Sequence, residues 1–193
     1  MYQICVCDIL YKDIDRGEIM KIKVIEKQKN SKYCFICGLD NPTGVKAHFY
    51  NLEDNSVATL FKFDRLHQSY PGRTHGGIIS AMMDELVGRA LWVDEKDTYA
   101  VTTTMSIKFR RPVPYDTLLK ARGYIIKNSS RMYVGKGELF DMDNNLLVEF
   151  NGNYMKLSSA QASNSECNVE EEMCYLIEDD IKDFEFPEKR IEE

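Results

Sequence analysis

A carboxylate pair lies inside a stretch that otherwise favours burial, YPGRTHGGIISAMMDELVGRA at positions 70–90. The tripeptide His-Gly-Gly at 75–77 precedes an apolar, helix-like run, and Asp84 and Glu85 lie in the middle of that run. A carboxylate can act as a general base, and a backbone N–H at a helix start can stabilise charge that develops on a carbonyl oxygen. Together, these two groups could serve one carbonyl.

Helical periodicity separates the two acids. Projected at about 100° per residue, the apolar side chains cover a broad face, which predicts a helix wrapped by other structure. Asp84 falls in a flanking strip of very small side chains, Gly77, Ser80, Ala81 and Gly88. Small residues let another backbone or a slender ligand come close, whereas Glu85 and Arg89 have the spacing of an ordinary surface ion pair. We therefore interpret Asp84 as functional and Glu85 as structural.

The helix start is a candidate site for a carbonyl oxygen. Its first N–H groups have no intrahelical acceptor, glycine lets a ligand approach them, and Gly77 N–H is the donor that we expect to be used. Asp84 follows seven residues later, a rise of roughly 10 Å, so Gly77 of one chain and Asp84 of an antiparallel copy would serve one carbonyl better. This predicts a homodimer with interfacial sites. A tight Gly-Gly turn and a solvated Asp stay open as the simpler interpretation of these residues alone.

Strand patterns surround the helix and must position it. The predicted strands cover residues 45–50, 56–63, 99–109, 118–127, 131–141 and 146–157. Glycines within several of them indicate bulges or strong curvature. The last four are separated by short turns, which predicts an antiparallel meander. A sheet with one apolar helix against it is an α+β arrangement.

Composition and charge exclude several classes of protein. The chain has 193 residues, of which 44% are hydrophobic and 29% are charged, as in a globular protein. A net charge of −6 argues against a nucleic-acid surface. No apolar run approaches the roughly 20 residues of a membrane span, which argues against a membrane partner. Residues 1–30 lack a basic head followed by an uninterrupted apolar core, so we expect no signal peptide and a cytoplasmic protein.

The chain divides into three zones. Residues 31–157 are predicted to form the folded domain, preceded by a mixed N-terminal extension at 1–30. Met20 is an alternative start of the protein. The codons of Arg16-Gly17-Glu18, just before it, can spell a purine-rich ribosome-binding sequence. Residues 158–193 begin as a polar linker and end acidic, which favours a mobile tail with a short helix around 170–177.

Cysteine usage favours free thiols. The six cysteines lie at positions 5, 7, 34, 37, 167 and 174, and no repeated Cys-x-x-Cys is present. A disulfide framework is not expected without a secretion signal. Cys34-x-x-Cys37 is half of a zinc site, with His48 as a candidate third ligand and no evident fourth. We expect no metal.

Three segments resemble the PaaI-like acyl-CoA thioesterases of the 4-hydroxybenzoyl-CoA thioesterase superfamily. The segments are CFICGLDNPTGVKAHF (34–49), HQSYPGRTHGGIISAMMDE (67–85) and AVTTTMSIKFRRPVP (100–114). The second contains His-Gly-Gly with Asp84 nine residues after the histidine, and the combination is more specific than His-Gly-Gly alone.

The resemblance implies a fold and an activity. It implies the hotdog fold, a curved antiparallel sheet wrapped around one long helix, assembled as a homodimer or as a homotetramer built from two dimers. It implies hydrolysis of acyl-CoA thioesters without a metal or covalent cofactor, with coenzyme A entering only as part of the substrate.

The resemblance also assigns roles to residues. It implies that Asp84 is the general base on water or, as an alternative, a nucleophile. Gly77 N–H, beside Gly76, would polarise the thioester carbonyl. His75 would shape the turn and contact the carbonyl or its neighbours, and Thr102 would help to hold the water near the acid.

One position departs from the family pattern. Several members have an Asn six residues before the histidine, where this chain has Ser69, and Gln68 is a substitute source of the amide. This departure motivates an alternative function, a hotdog protein that binds acyl-CoA or another small ligand without catalysis. A hotdog hydratase would need an Asp/His pair on a different loop, and the sequence offers none.

Basic residues after the second segment are candidates for the phosphates of coenzyme A. Arg110 and Arg111 follow Lys108 directly before a proline. Strand alternation should place Lys108 and Arg110 on one face and Arg111 on the other, so not all can contact one ligand. Solvated charge is the other interpretation of these residues.

Overall fold

The computed structural model describes residues 18–163 and 168–189. The strands are β1 (Ile19–Lys27), β2 (His48–Leu52), β3 (Ser56–Phe61), β4 (Thr98–Phe109), β5 (Leu119–Asn128), β6 (Met132–Asp141), β7 (Leu146–Ser158) and β8 (Asp183–Pro187). The α-helices are α1 (Gly76–Arg89), α2 (Ser159–Ala162) and α3 (Val169–Glu172), and 3₁₀ segments lie at Arg65–His67 and Ala90–Val93. The predicted central helix and the six predicted strands are therefore present, with ends shifted by a few residues.

Helix α1 lies at the centre of the structure because most of its circumference is apolar. Its buried apolar side chains are Ile79, Met82, Met83, Leu86 and Val87. Each stabilises the fold by roughly 1.5–3 kcal/mol relative to exposure. The helix packs against strands β3 to β7, so the predicted broad contact face is confirmed.

The sheet is antiparallel, with strand order β4-β7-β6-β5-β3-β2-β1-β8. The predicted four-strand meander is wrong in one pairing. Strands β5, β6 and β7 do form a meander, but β4 pairs with β7 and β5 pairs with β3. The reason is the segment 110–118, which is too long for a hairpin turn and crosses from the sheet edge to its middle.

Glycines let the sheet curve closely around α1. A Cβ built on Gly135 in β6 would lie 2.4 Å from Val87 Cγ1, and one on Gly137 would lie 2.9 Å from Met83 Cε. A side chain at either position would force Val87 or Met83 of the helix to shift. The predicted link between strand glycines and curvature therefore has a concrete cause, which is direct contact with α1.

Strands β1 and β8 form a ribbon that folds back over the outer face of the sheet. They pair with each other, with Ile22 opposite Phe184. A second apolar cluster joins this ribbon to the sheet face that points away from α1, and its buried members are Ile22, Tyr50, Leu52, Ala58, Phe140, Leu146, Phe184 and Phe186.

This ribbon differs from the expected extension and mobile tail. Residues 18–30 contribute β1, and residues 183–187 contribute β8, with Phe186 fully buried. The acidic composition of the tail conceals the short alternation DFEFP, which buries both phenylalanines. The zone limits at residues 30 and 157 and the alternative start at Met20 stay predictions, and residues 1–17, 164–167 and 190–193 lie outside the described residues. None of the helices in the described ranges has the length and apolar character needed to cross a bilayer.

Candidate active site

Asp84 projects from the middle of α1 towards strand β4. Its carboxylate is half-buried, and Oδ1 accepts a hydrogen bond from Thr102 Oγ1 at 2.7 Å and another from Tyr154 Oη at 2.9 Å. Hydrogen bonds to a charged acceptor are about twice as strong as neutral ones, so this carboxylate is held in one orientation. None of the described residues donates to Oδ2, which leaves that oxygen for another donor.

A bulge in β4 aims Thr102 at the carboxylate. Thr102 pairs with Tyr154 of β7, and the register then shifts between Thr102 and Thr104. Bulges commonly redirect a side chain next to a functional site. The two donors to Asp84 are thus cross-strand neighbours, and the sheet fixes their separation.

Tyr154 is a site residue that the sequence did not reveal. It is 2% exposed, and its ring stacks on Tyr133 with centroids 4.7 Å apart. Burial and the neighbouring Asp84 charge raise the pKa of Tyr154 above its ordinary value, so the hydroxyl stays protonated and donates. The alternation of side chains in β7 predicts that Tyr154 points inward. It does not predict the contact with Asp84, which depends on the register between β4 and β7.

The start of α1 is capped by its own histidine. His75 is the N-cap residue, and Gly77 N–H donates to His75 Nδ1 at 3.0 Å. The expected backbone donor is therefore at the helix tip, with an exposed imidazole as its acceptor. A Cβ added at Gly76 would lie 3.4 Å from Phe109 Cζ, so the ring of Phe109 packs directly beside this turn.

The residues expected to replace the family's asparagine lie on the surface before α1. Gln68 and Ser69 are both exposed. Gln68 Oε1 accepts a hydrogen bond from Tyr115 Oη at 2.8 Å, and Ser69 N–H donates to Arg73 O at 2.9 Å. The oxygen of the Gln68 amide is thus held by Tyr115, in segment 110–118. The nitrogen of the same amide can still donate a hydrogen bond to a ligand.

The two candidate phosphate-binding arginines differ in their surroundings. Arg110 forms an ion pair with Glu149, through Nε at 2.7 Å and Nη2 at 2.5 Å. No acidic residue in the described part of the chain forms an ion pair with Arg111. A phosphate at Arg110 would have to compete with a carboxylate, so Arg111 is the better candidate of the two.

The Glu85–Arg89 pair forms as expected but not on the surface. Arg89 Nε donates to Glu85 Oε1 at 2.8 Å, and the Arg89 side chain is 3% exposed. The interpretation as an ordinary surface pair is wrong because Arg89 reaches inward, to the Lys29 carbonyl and the Cys37 sulfur. The i, i+4 spacing in the sequence predicts that the two residues pair, but it does not predict whether the arginine is buried.

The site lies at an edge of the sheet that the described strands form. Strand β4 is the terminal strand in the sheet order. Three large apolar side chains along it are exposed, Val101, Met105 and Phe109. Thr102 is exposed on the same strand, so the Asp84 site is accessible to a ligand or a partner molecule at the β4 edge.

Comparison with known proteins gives a family match over part of the chain and identifies the fold. Residues 71–148 match the family described as the thioesterase superfamily. The chain is similar to a thioesterase superfamily protein of known structure, with 24% identity, a TM-score of 0.52 and coverage of 56% of this chain and 53% of that one. It therefore spans about half the length of that relative.

Two further structures share the fold. PaaI of E. coli, from the phenylacetic acid degradation operon, has 15% identity and a TM-score of 0.54, with coverage of 59% of this chain and 81% of that chain. The protein smu.793 of Streptococcus mutans, bound to acetyl-CoA, has 16% identity and a TM-score of 0.50, with coverage of 54% and 82%. The predicted hotdog fold is thereby confirmed, and the match to the thioesterase superfamily covers residues 71–148 of the 193-residue chain.

Proposed function

We propose that this protein hydrolyses acyl-CoA thioesters to a free acid and coenzyme A. The observation that carries the proposal is the Asp84 carboxylate, held through one oxygen by Thr102 and Tyr154 at the open edge of the sheet. A thioester is an activated acyl group, so one positioned base and one electrophilic donor can suffice for its hydrolysis.

Asp84 acts as the general base. Its Oδ2 accepts a proton from a water molecule as the water oxygen attacks the thioester carbonyl carbon. The C–O bond forms, the carbonyl oxygen takes up the negative charge, and the tetrahedral intermediate then expels the thiolate of coenzyme A, which takes the proton back from Asp84. Direct attack by Asp84 as a nucleophile is the alternative within the same geometry.

Gly77 N–H stabilises the charge on the carbonyl oxygen. This N–H points at His75 Nδ1, so the substrate oxygen replaces the imidazole as acceptor, and the exposed ring turns aside. The positive end of the α1 dipole favours the same charge. Gly76 leaves the approach to this N–H open because it has no side chain. Gln68 and Ser69, on the exposed segment before α1, are the polar residues that we place near the acyl group.

The fold is compatible with a coenzyme A ester as ligand. The similar S. mutans structure contains acetyl-CoA, and we place the phosphates of the substrate near Arg111, with Arg110 in a secondary role. The steps above use protein groups and water, so we expect neither a metal nor a covalent cofactor.

Each site is completed by a second copy of the chain. Within one chain, Gly77 and Asp84 are separated by seven helical residues, roughly 10 Å along the axis. The free β4 edge with its exposed apolar side chains is the surface through which two copies would pair, since an unpaired strand edge readily accepts another strand. This arrangement gives a homodimer, from which a homotetramer can form.

A thiol-release assay tests the proposal. The purified protein is offered a panel of acyl-CoAs of different chain length and aromatic character, beside Asp84→Asn and Glu85→Gln. We expect Asp84→Asn to lower kcat at least about 100-fold, as for loss of a general base, and Glu85→Gln to retain activity. If the protein binds acyl-CoA but releases no thiol above the Asp84→Asn background, the binding-protein alternative is correct.

A further inference from the structure

A tight turn holds two cysteines side by side, away from Asp84. Cys34 Sγ accepts hydrogen bonds from the N–H groups of Ile36 at 3.3 Å and Cys37 at 3.5 Å. Gly38 N–H closes the turn on the Cys34 carbonyl at 2.8 Å, and a Cβ at Gly38 would lie 2.4 Å from that oxygen. The backbone of residues 34–38 therefore surrounds Cys34 Sγ. The turn requires glycine at position 38, because a side chain there would overlap the backbone.

A buried cation already occupies the space beside these sulfurs. The ligand atoms of Cys34, Cys37 and Glu85 lie within 4.8 Å of one another. Arg89 Nη2 donates to Cys37 Sγ at 2.8 Å and its Nε donates to Glu85 Oε1 at 2.8 Å. Phe49 and Trp92 pack on the faces of the same guanidinium. A divalent metal here would be repelled by a fixed positive charge, whereas a thiolate is attracted by it.

We infer that Cys34 and Cys37 are a reversible oxidation site, which forms an intramolecular disulfide with hydrogen peroxide or a low-molecular-weight disulfide as the oxidant. The two sulfurs are already adjacent, one is stabilised by backbone N–H groups and the other by Arg89. This inference is independent of the proposed hydrolysis, because neither cysteine contacts Asp84.

Exposure decides which sulfur meets the oxidant. Cys34 is half-buried, and Cys37 is 1% exposed. The hydrogen bond with Cys34 and the Arg89 charge lower the pKa of Cys37 to about 7 against the effect of burial, and the hydrogen bond with Cys37, with burial, raises the pKa of Cys34. These directions favour the proton on Cys34 and the negative charge on Cys37. The more exposed Cys34 therefore attacks after its proton has passed across the hydrogen bond to Cys37.

The chemistry balances with peroxide as the electron acceptor. The Cys34 thiolate attacks one peroxide oxygen, the O–O bond breaks and hydroxide leaves, which makes a sulfenic acid. Cys37 sulfur then attacks Cys34 sulfur, the S–S bond forms, and the S–O bond breaks as hydroxide leaves with the Cys37 proton as water. Two electrons pass from the sulfurs to the peroxide. With glutathione disulfide, a mixed disulfide at Cys34 takes the place of the sulfenic acid.

The test uses the full chain in which Cys5, Cys7, Cys167 and Cys174 are each replaced by serine, so that only one disulfide is possible. The protein is equilibrated with glutathione buffers of increasing oxidation and analysed by intact mass. We expect a loss of two hydrogen masses that dithiothreitol reverses, without a retained glutathione adduct. With the further change Cys37→Ser, we expect a stable glutathione adduct at Cys34 instead, because the resolving sulfur is gone.

The pH dependence of disulfide formation is a second measurement, because it responds to the charge of Glu85 beside Cys34 and Cys37. Glu85→Gln keeps the acceptor for Arg89 but removes a negative neighbour, so the rate of disulfide formation should reach its midpoint at a lower pH than in the parent. Three results would overturn the inference: thiols that survive every buffer, a glutathione adduct that persists with Cys37 present, or one equivalent of bound zinc released only when the cysteines are modified.

Discussion

At the scale of single residues, the orientation of Asp84 depends on two hydroxyl donors. The family resemblance predicts Thr102, and Thr102 does donate to Asp84. Tyr154 could not be predicted, because the strand that pairs with β4 is distant in sequence and the predicted meander offered no β4–β7 neighbours. The burial of Arg89 could not be predicted either, because i, i+4 spacing identifies Glu85 as its partner but does not show how far the pair lies from solvent.

Removing the Tyr154 hydroxyl should impair catalysis without unfolding the protein. In Tyr154→Phe the ring can keep its stacking on Tyr133, but Asp84 Oδ1 loses one donor. We expect kcat to fall about tenfold, because a hydrogen bond to a charged group contributes about 1.5–3 kcal/mol and Thr102 still holds the carboxylate. Steady-state kinetics on the best acyl-CoA measures this.

Tyr133→Phe is the matched control for that change. It removes an equally buried hydroxyl that donates to the Gly88 carbonyl at 3.3 Å and not to Asp84. Its kcat should equal that of the unmodified protein. Equal losses in the two variants would show that the tyrosine stack, and not the bond to Asp84, supports activity.

At the scale of elements, the central helix and six strands were predictable because each has a clear hydrophobic period and turn signals. The pairing of β4 was not, because strand order depends on the path of segment 110–118 and not on local pattern. Strand β8 was hidden by the acidic residues around it. Its contribution needs a partner, β1, which lies more than 150 residues earlier in the chain.

Strand β8 should be important for stability and not for chemistry. Phe186 is fully buried against Phe140 on the sheet face opposite α1. Phe186→Ala should lower the free energy of unfolding by about 3–5 kcal/mol, the usual cost of an aromatic truncation in a core, and leave kcat unchanged below the melting transition. Urea denaturation and steady-state kinetics measure the two effects.

A surface leucine provides the comparison. Leu176 is 60% exposed, so Leu176→Ala should change the free energy of unfolding by less than about 0.5 kcal/mol. The assignment of β8 to the fold would be contradicted by a Phe186→Ala protein as stable as Leu176→Ala.

At the scale of the whole molecule, buried tyrosines should make the free energy of unfolding fall at alkaline pH. Burial is the main cause that raises the pKa of Tyr50, Tyr133 and Tyr154. Above about pH 10 the unfolded chain releases these protons while the folded chain keeps them, so the free energy of unfolding falls as pH rises. Each tyrosine contributes a loss of about 1.4 kcal/mol per pH unit.

Urea denaturation between about pH 8 and pH 11 measures this dependence. The tyrosines should leave stability level below about pH 10 and make it decline above that pH, and Tyr133→Phe should have a shallower decline. An identical decline in Tyr133→Phe would mean that other groups cause it.

Assembly is the whole-molecule property on which the proposed function depends. The chain places the Gly77 amide and the Asp84 carboxylate on one helix but apart, and among the described strands β4 pairs with β7 alone, at the edge of the sheet. Two copies that pair through β4 would bring the complementary halves together. Sequence spacing suggested the dimer, and the exposed apolar residues of β4 now provide a candidate surface for it.

Subunit complementation tests the central claim most directly. Asp84→Asn and Gly77→Pro each remove one half of the site, and proline is tolerated in the first turn of a helix. Hybrid dimers of the two variants, isolated with different affinity tags, keep one intact site of two. We predict that they hydrolyse acyl-CoA at about half the rate of the unmodified dimer while each variant alone is inactive; hybrids as inactive as their parents would contradict a site shared between subunits.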